Sequence, residues 1–181
     1  MSNRTGIYVA FNGCGTTNPT ESDIKYFNTF KMWKENKNID FSFADSHSKT
    51  SSVRDTSDKE KTLFPKLQAR LKVSKVLLLI VTKNTINSSD VVEFEIEKAI
   101  EAYDLPIILV YPDQTVIKSV SSSHKNKLPK LLKTKMEEGK TKTLFIPLKL
   151  NAVKKAIADF NVHTENLNNN IYTYDEKDNW D

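Results

Sequence analysis

Apolar residues gather into five short runs along the chain: "IYVAF" (Ile7–Phe11), "IDFSF" (Ile39–Phe43), "VLLLIV" (Val76–Val81), "PIILVY" (Pro106–Tyr111) and "LFIPL" (Leu144–Leu148). Each has the length and the β-branched or aromatic content of a strand. Most lack the alternation of a sheet with one wet face, which predicts strands covered on both sides, as in a parallel sheet. Between the runs the spacing turns helical. Ile24, Phe27, Phe30 and Trp33 recur every third residue, Leu63, Leu67 and Leu71 every fourth, and Val92, Ile96, Ala99, Ile100 and Tyr103 form a further stripe. "LPKLLKTKM" and "NAVKKAIADF" complete the set.

Strand and helix therefore alternate, and with right-handed crossovers that order builds a doubly wound, mainly parallel five-stranded α/β sheet with flanking helices. The expected organisation is one α/β domain over residues 1–160 and a polar tail over 161–181, whose "IYTY" can pair at a sheet edge. Sheets of this kind bind ligands at the carboxyl ends of their strands, so the segments after each run are the ones to search. The long Ser/Thr/Asp-rich connection that follows the second run has the length of a functional loop.

Charge adds little to this picture. The 27 basic and 23 acidic residues leave a net +4, and the one basic concentration, Lys125 to Lys142, carries no aromatic side chains for base stacking. It reads as a solvated helix face, and nucleic acid is not an expected partner. Cys14 is the only cysteine, which excludes an intrachain disulfide and thiol-rich metal sites and fits a reducing cytoplasm. The longest apolar run is far below the ~20 residues of a membrane span, and the N-terminus lacks a signal-peptide core. A cytoplasmic protein with no membrane contact and no metal is expected.

Candidate chemistry is sparse. Gly13 and Gly15 follow the first strand, where a phosphate could meet backbone N–H groups, but neither a dinucleotide fingerprint nor a P-loop is complete. A turn that leads strand one into helix one is the competing reading. A phospho-receiver would need carboxylates where Phe11-Asn12 and Thr82-Lys83 stand, so that reading fails. A flavin site finds threonines after strand one but no evident aromatic sandwich. His47, His124 and His163 lack metal spacing, and pairing Cys14 with His47 has nothing beyond residue type behind it.

The stretch "SSDVVEFEIEKAIEAYDLPIILVYP" (Ser88–Pro112) holds the most informative pattern. Asp90 and Glu93 have capping-box spacing, which starts a helix at Val91 and gives Glu93 a structural role. At 100° per residue, Glu93 and Glu95 fall on opposite edges of the apolar stripe, and Glu97 points away. Periodicity does not choose between the first two. A carboxylate there, near the ligand crevice, could hold ribose hydroxyls or stabilise an oxocarbenium-like centre.

This stretch, together with "GIYVAF" and "KVLLLIVTKNT", resembles Toll/interleukin-1 receptor (TIR) domains, specifically the bacterial TIR-like group that includes the Thoeris antiphage sensor ThsB. The match is to a serine ahead of a helix of the form aromatic-Glu-Ile-x-x-Ala-Ile, followed by a hydrophobic strand, and the resemblance covers roughly Gly6 to Leu148. It implies a flavodoxin-like TIR fold and an enzyme, a NAD glycohydrolase or cyclase that cleaves the nicotinamide–ribose bond of NAD and releases an ADP-ribose-derived, cyclic signal. NAD would be substrate and no cofactor is implied. The implied catalytic residue is Glu95, which follows Phe94. Position implies that Phe11, Asn12, Asp45, Ser46, Thr82 and Asn84 line the NAD pocket. Implied partners are a downstream effector reached through the nucleotide signal, a phage-derived trigger and further copies of the chain. Many TIR helices carry Trp-Cys ahead of the glutamate, where this chain has Glu93-Phe94. The alternative function is a TIR-like assembly or adaptor module without catalysis.

Overall fold

The structure is a computed structural model that describes residues 3–16, 18, 20–43, 59–174 and 180, with only the backbone of Lys59 and Glu60. Its elements run β1 (Gly6–Ala10), α1 (Ile24–Glu35), α2 (Lys59–Thr62), α3 (Phe64–Lys72), β2 (Ser74–Ile80), a 3-10 turn (Thr85–Asn87), α4 (Asp90–Glu101), β3 (Ile107–Tyr111), α5 (Ser122–Lys125), α6 (Lys130–Glu137), β4 (Thr143–Pro147), α7 (Leu150–Asp159) and β5 (Ile171–Thr173). The five strands form one sheet in the order β1-β2-β3-β4-β5, and every pairing is parallel.

The expected α/β architecture is present. Four of the five apolar runs became β1 to β4, and the central ones are buried on both faces: Leu77, Leu78, Leu79 and Ile80 are all 0 % exposed. Odd and even positions of β1 divide between two cores. Tyr8 and Ala10 join Leu67, Leu71, Val92, Ile96, Leu132 and Met136 beneath α3, α4 and α6. Ile7 and Val9 join Phe27, Phe30, Val153, Ala156 and Phe160 beneath α1 and α7. The period-2 geometry of a strand sends successive side chains to opposite layers, so a continuous apolar run serves both.

The run Ile39–Phe43 is a correction: it forms no strand. Its N–H groups bond locally, Ile39 to the Asn36 carbonyl at 2.9 Å and Phe41 to the Ile39 carbonyl at 2.9 Å, which leaves them unavailable to a ladder. Its alternation instead buries Phe41 and Phe43 against Phe30 and Trp33 in an aromatic cluster. The fifth strand comes from "IYTY", where Ile171–Thr173 pairs with Thr143–Phe145 at the sheet edge.

Three lysines of the basic stretch pair with carboxylates on the surface. Lys135 pairs with Glu101 at 2.6 Å, Lys140 with Glu138 at 2.9 Å, and Lys127 with Asp113. No helix among the described residues is long and apolar enough to cross a membrane.

Candidate functional site

Helix α4 begins one residue earlier than its sequence suggests. Ser89 is the N-cap and Asp90 the first helical residue, no side chain caps the start, and Glu93 donates its N–H to the Ser89 carbonyl at 3.1 Å. The capping box expected of Asp90 and Glu93 is therefore absent, and the Glu93 side chain is exposed. Glu97 is half-buried at a 3.7 Å ion pair with Lys98. Glu95 lies on the opposite side of the helix, on the face that carries Val92, Ile96 and Ala99, and is 0 % exposed.

A carboxyl sealed in this way needs partners. One is Tyr8 of β1, whose hydroxyl donates to Glu95 Oε1 at 2.6 Å. Glu95 Oε2 has none. Burial pushes the Glu95 carboxyl up to about 8, against the lowering effects of the Tyr8 hydrogen bond and the positive charge of Arg70 on α3. The Tyr8 phenol is itself raised well above its ordinary value, first by burial and then by the neighbouring carboxylate. Arg70 Nη1 is a second buried polar atom without a partner. Native interiors satisfy most such atoms, so two on facing helices mark a place where the fold tolerates an unmade interaction.

The other polar centre lies at the carboxyl ends of β1 and β2. Asp23, 2 % exposed, accepts the Thr82 hydroxyl at 2.9 Å to each oxygen and the Asn84 side-chain amide at 3.3 Å. Burial raises its carboxyl, and those two hydrogen bonds work against the rise. Asn12 ties the same edge together: its Nδ2 donates to the carbonyls of Asn84 at 2.8 Å and Asn87 at 3.3 Å, and its carbonyl accepts from Asp23 N–H at 3.2 Å. Asp23, Thr82 and Asn84 line a cavity of about 300 Å³ with Lys25, Tyr26 and Lys127, at the low end of the ~300–1,000 Å³ typical of ligand sites.

The residues proposed from sequence therefore separate. Thr82 and Asn84 meet through Asp23, and Asn12 braces them from below. Phe11 turns into the core and stacks on Phe27 at 4.9 Å. Glu95 does not line the Asp23 cavity. Asp45, Ser46 and His47 lie outside the described residues. The glycine-bearing loop is a turn: Thr16 N–H reaches the Gly13 carbonyl at 3.0 Å, with Cys14 and Gly15 at φ 51° and 68°, the signs of a type I′ turn. Cys14 is exposed, and the partial desolvation of its sulfur and the negative charge of Asp23 raise its thiol, which argues against a nucleophilic thiolate.

Three participants were not apparent from the sequence. Tyr8 reads as one more apolar residue of a strand, and Arg70 as a surface cation at the end of a helix. Asp23 reads as a helix cap, although it makes no side-chain cap hydrogen bond. Each acquires its role from a partner distant in sequence, 87 residues away for Tyr8 and 59 for Asp23, while Arg70 acts on Glu95 from the neighbouring helix.

Compared with known families, residues 8–117 match the model of the Thoeris protein ThsB TIR-like domain. That span is more than half of the 181-residue chain. The protein belongs to the Thoeris ThsB TIR-like family. The span holds most of β1 with β2 and β3, Glu95 with Tyr8 and Arg70, and the Asp23–Thr82–Asn84 cluster, so both polar centres of this TIR-like domain lie in its family-defining part. Membership places the chain among TIR-like modules of antiphage defence.

Proposed function

We propose that this TIR-like domain is a NAD glycohydrolase or cyclase, which cleaves the nicotinamide–ribose bond of NAD and releases an ADP-ribose-derived, cyclic signal in antiphage defence. The observation that carries the reading is Glu95: a carboxyl wholly removed from water, one oxygen held by Tyr8 and the other unpaired. In its ionised form such a group gains most when a positive centre or a pair of hydroxyls arrives. As the C1′–N bond breaks, nicotinamide leaves with the bonding electrons and positive charge develops on the ribose. Glu95 would accept the ribose hydroxyls and stabilise that charge. Water then adds to C1′, releasing a proton, or a nucleophile of the same ADP-ribose closes the ring.

With Glu95 at 0 % exposure, substrate reaches it only after its surroundings shift. Activity therefore depends on an opening step, supplied by a phage-derived trigger or by self-association, and the product signals to a downstream effector. The same burial favours the second reading, a non-catalytic assembly module in which Glu95 stays closed.

NAD consumption in lysates expressing the wild type or Glu95→Gln, with and without phage challenge and with product masses measured, separates the two. Nicotinamide release by the wild type alone is the expected outcome. Equal behaviour of both proteins under challenge would move the weight to the assembly module.

A further inference from the structure

We propose that Tyr8 is the positioning residue for Glu95, fixing the carboxyl's orientation through a hydrogen bond that joins the edge strand β1 to helix α4. This rests on the NAD-cleaving reading of Glu95 and adds to it a residue that no sequence pattern marks.

The case is geometric. Tyr8 is 1 % exposed and Glu95 is 0 % exposed, so neither can turn to water for a partner. Their contact, 2.6 Å long and 87 residues apart in sequence, is at the short end for an O–H···O bond. It is the only hydrogen bond to either Glu95 oxygen among the described residues. A glutamate side chain held at one oxygen has lost most of its rotamer freedom, and the free oxygen becomes the one presented to a ligand. Tyr8 itself is held firmly, because β1 pairs with β2 and sets Tyr8 opposite Leu77.

Two groups act on Glu95 from the elements packed around it, Tyr8 from β1 and Arg70 from α3, and both favour its ionised form. They differ in kind. Arg70 acts through charge, without a hydrogen bond to Glu95, whereas Tyr8 acts through contact. Removal of either group should shift the ionisation of Glu95 to higher pH, but only removal of Tyr8 should release its orientation.

The test compares wild type, Tyr8→Phe, Arg70→Gln and Glu95→Gln by pH-rate profiles of NAD cleavage under the activating condition, and by the pH dependence of thermal unfolding without NAD. Tyr8→Phe, which removes one oxygen and keeps the ring, should lower kcat roughly tenfold or more with KM little changed. The loss should persist above the pH at which Glu95 is ionised. Arg70→Gln should displace the profile to higher pH and recover its plateau. Unfolding reports on the same contact without turnover: the pH-dependent limb of wild type should extend to higher pH in Tyr8→Phe and be smaller in Glu95→Gln, where only other groups such as Asp23 remain to contribute. Full recovery of Tyr8→Phe at high pH, or an unfolding limb identical to wild type, overturns the positioning role while leaving the NAD reading intact. If wild type and Glu95→Gln are equally inactive under challenge, the NAD reading falls and the catalytic role of Tyr8 falls with it. Should Tyr8→Phe fold poorly, Tyr8→Met fills the site with an adaptable apolar side chain that lacks the hydroxyl, and the same loss is expected.

Discussion

Glu95 makes the folded state a better proton acceptor than the unfolded chain, because burial pushes its carboxyl up to about 8 from an ordinary value of 4.5. The sign of the consequence follows from linkage. Where the folded state binds the extra proton, raising the pH removes a contribution to stability. That contribution is fully present below the ordinary carboxyl range and is lost as the pH rises to about 8. Stability should therefore fall across pH 5 to 8 in the wild type, by an amount on the order of a few kcal/mol, and the unfolding temperature should fall with it. Glu95→Gln should flatten the profile and be the more stable protein at pH 8. Differential scanning calorimetry at several pH values checks this, and a slope as steep in the glutamine variant as in the wild type would contradict it. Catalysis has the opposite dependence: if the ionised carboxylate holds the ribose, kcat/KM for NAD should climb toward pH 8 in the wild type. A profile that is flat or declining over that range would count against the ionised form as the working state.

Two kinds of contact join neighbouring elements. The sheet ladder and the aromatic cluster are built from apolar patterning, but the loop before α1 is fastened to the end of β2 by a polar knot. Asp23, Thr82, Asn84 and Asn12 form it, and their sequence separation means that it forms only with the tertiary fold. Thr82→Val keeps the shape and removes the hydroxyl donor, leaving a buried Asp23 carboxylate with a weaker shell. A loss of about 1–3 kcal/mol in urea denaturation is expected, together with weaker binding of any ligand that occupies the adjoining cavity. No change in either would show that the knot is incidental. At the other end of the same loop, Gly15 has φ 68° and open space where a Cβ would stand, so Gly15→Ala meets no clash and carries only the backbone penalty, about 1 kcal/mol in the same assay.

At the scale of the whole molecule, one parallel sheet separates two apolar layers, and its central strands supply both. Leu79 packs into one layer with Tyr8 and Ile96, and Phe30 into the other with Val9 and Ile157. Leu79→Ala and Phe30→Ala should each cost about 3–5 kcal/mol, read as a fall of roughly 2–4 °C in Tm per kcal/mol. Leu79→Ala removes volume from the layer that holds Glu95, so it should also reduce NAD cleavage more than Phe30→Ala does. Equal losses of activity would indicate that the two layers affect the site only through global stability.

Hydrophobic periodicity by itself determined the α/β class, the five principal helices and four of the five strands, because a strand covered on both faces must be apolar at every position and a flanking helix on one stripe only. The local pattern in Ser88–Pro112 likewise narrowed the candidate carboxylates to two. The rest was decided by contacts distant in sequence. "IDFSF" has the composition of a strand, but its N–H groups turn inward on Asn36 and Ile39 and its aromatic rings pack against α1. "IYTY" has the weaker pattern yet meets a free sheet edge and pairs there. Glu93 and Glu95 are equivalent on a helical wheel, and only the packing of α4 against β1 and α3 leaves the first in water and takes the second out of it. Burial is a property of where a helix docks, which a single helix's sequence cannot encode.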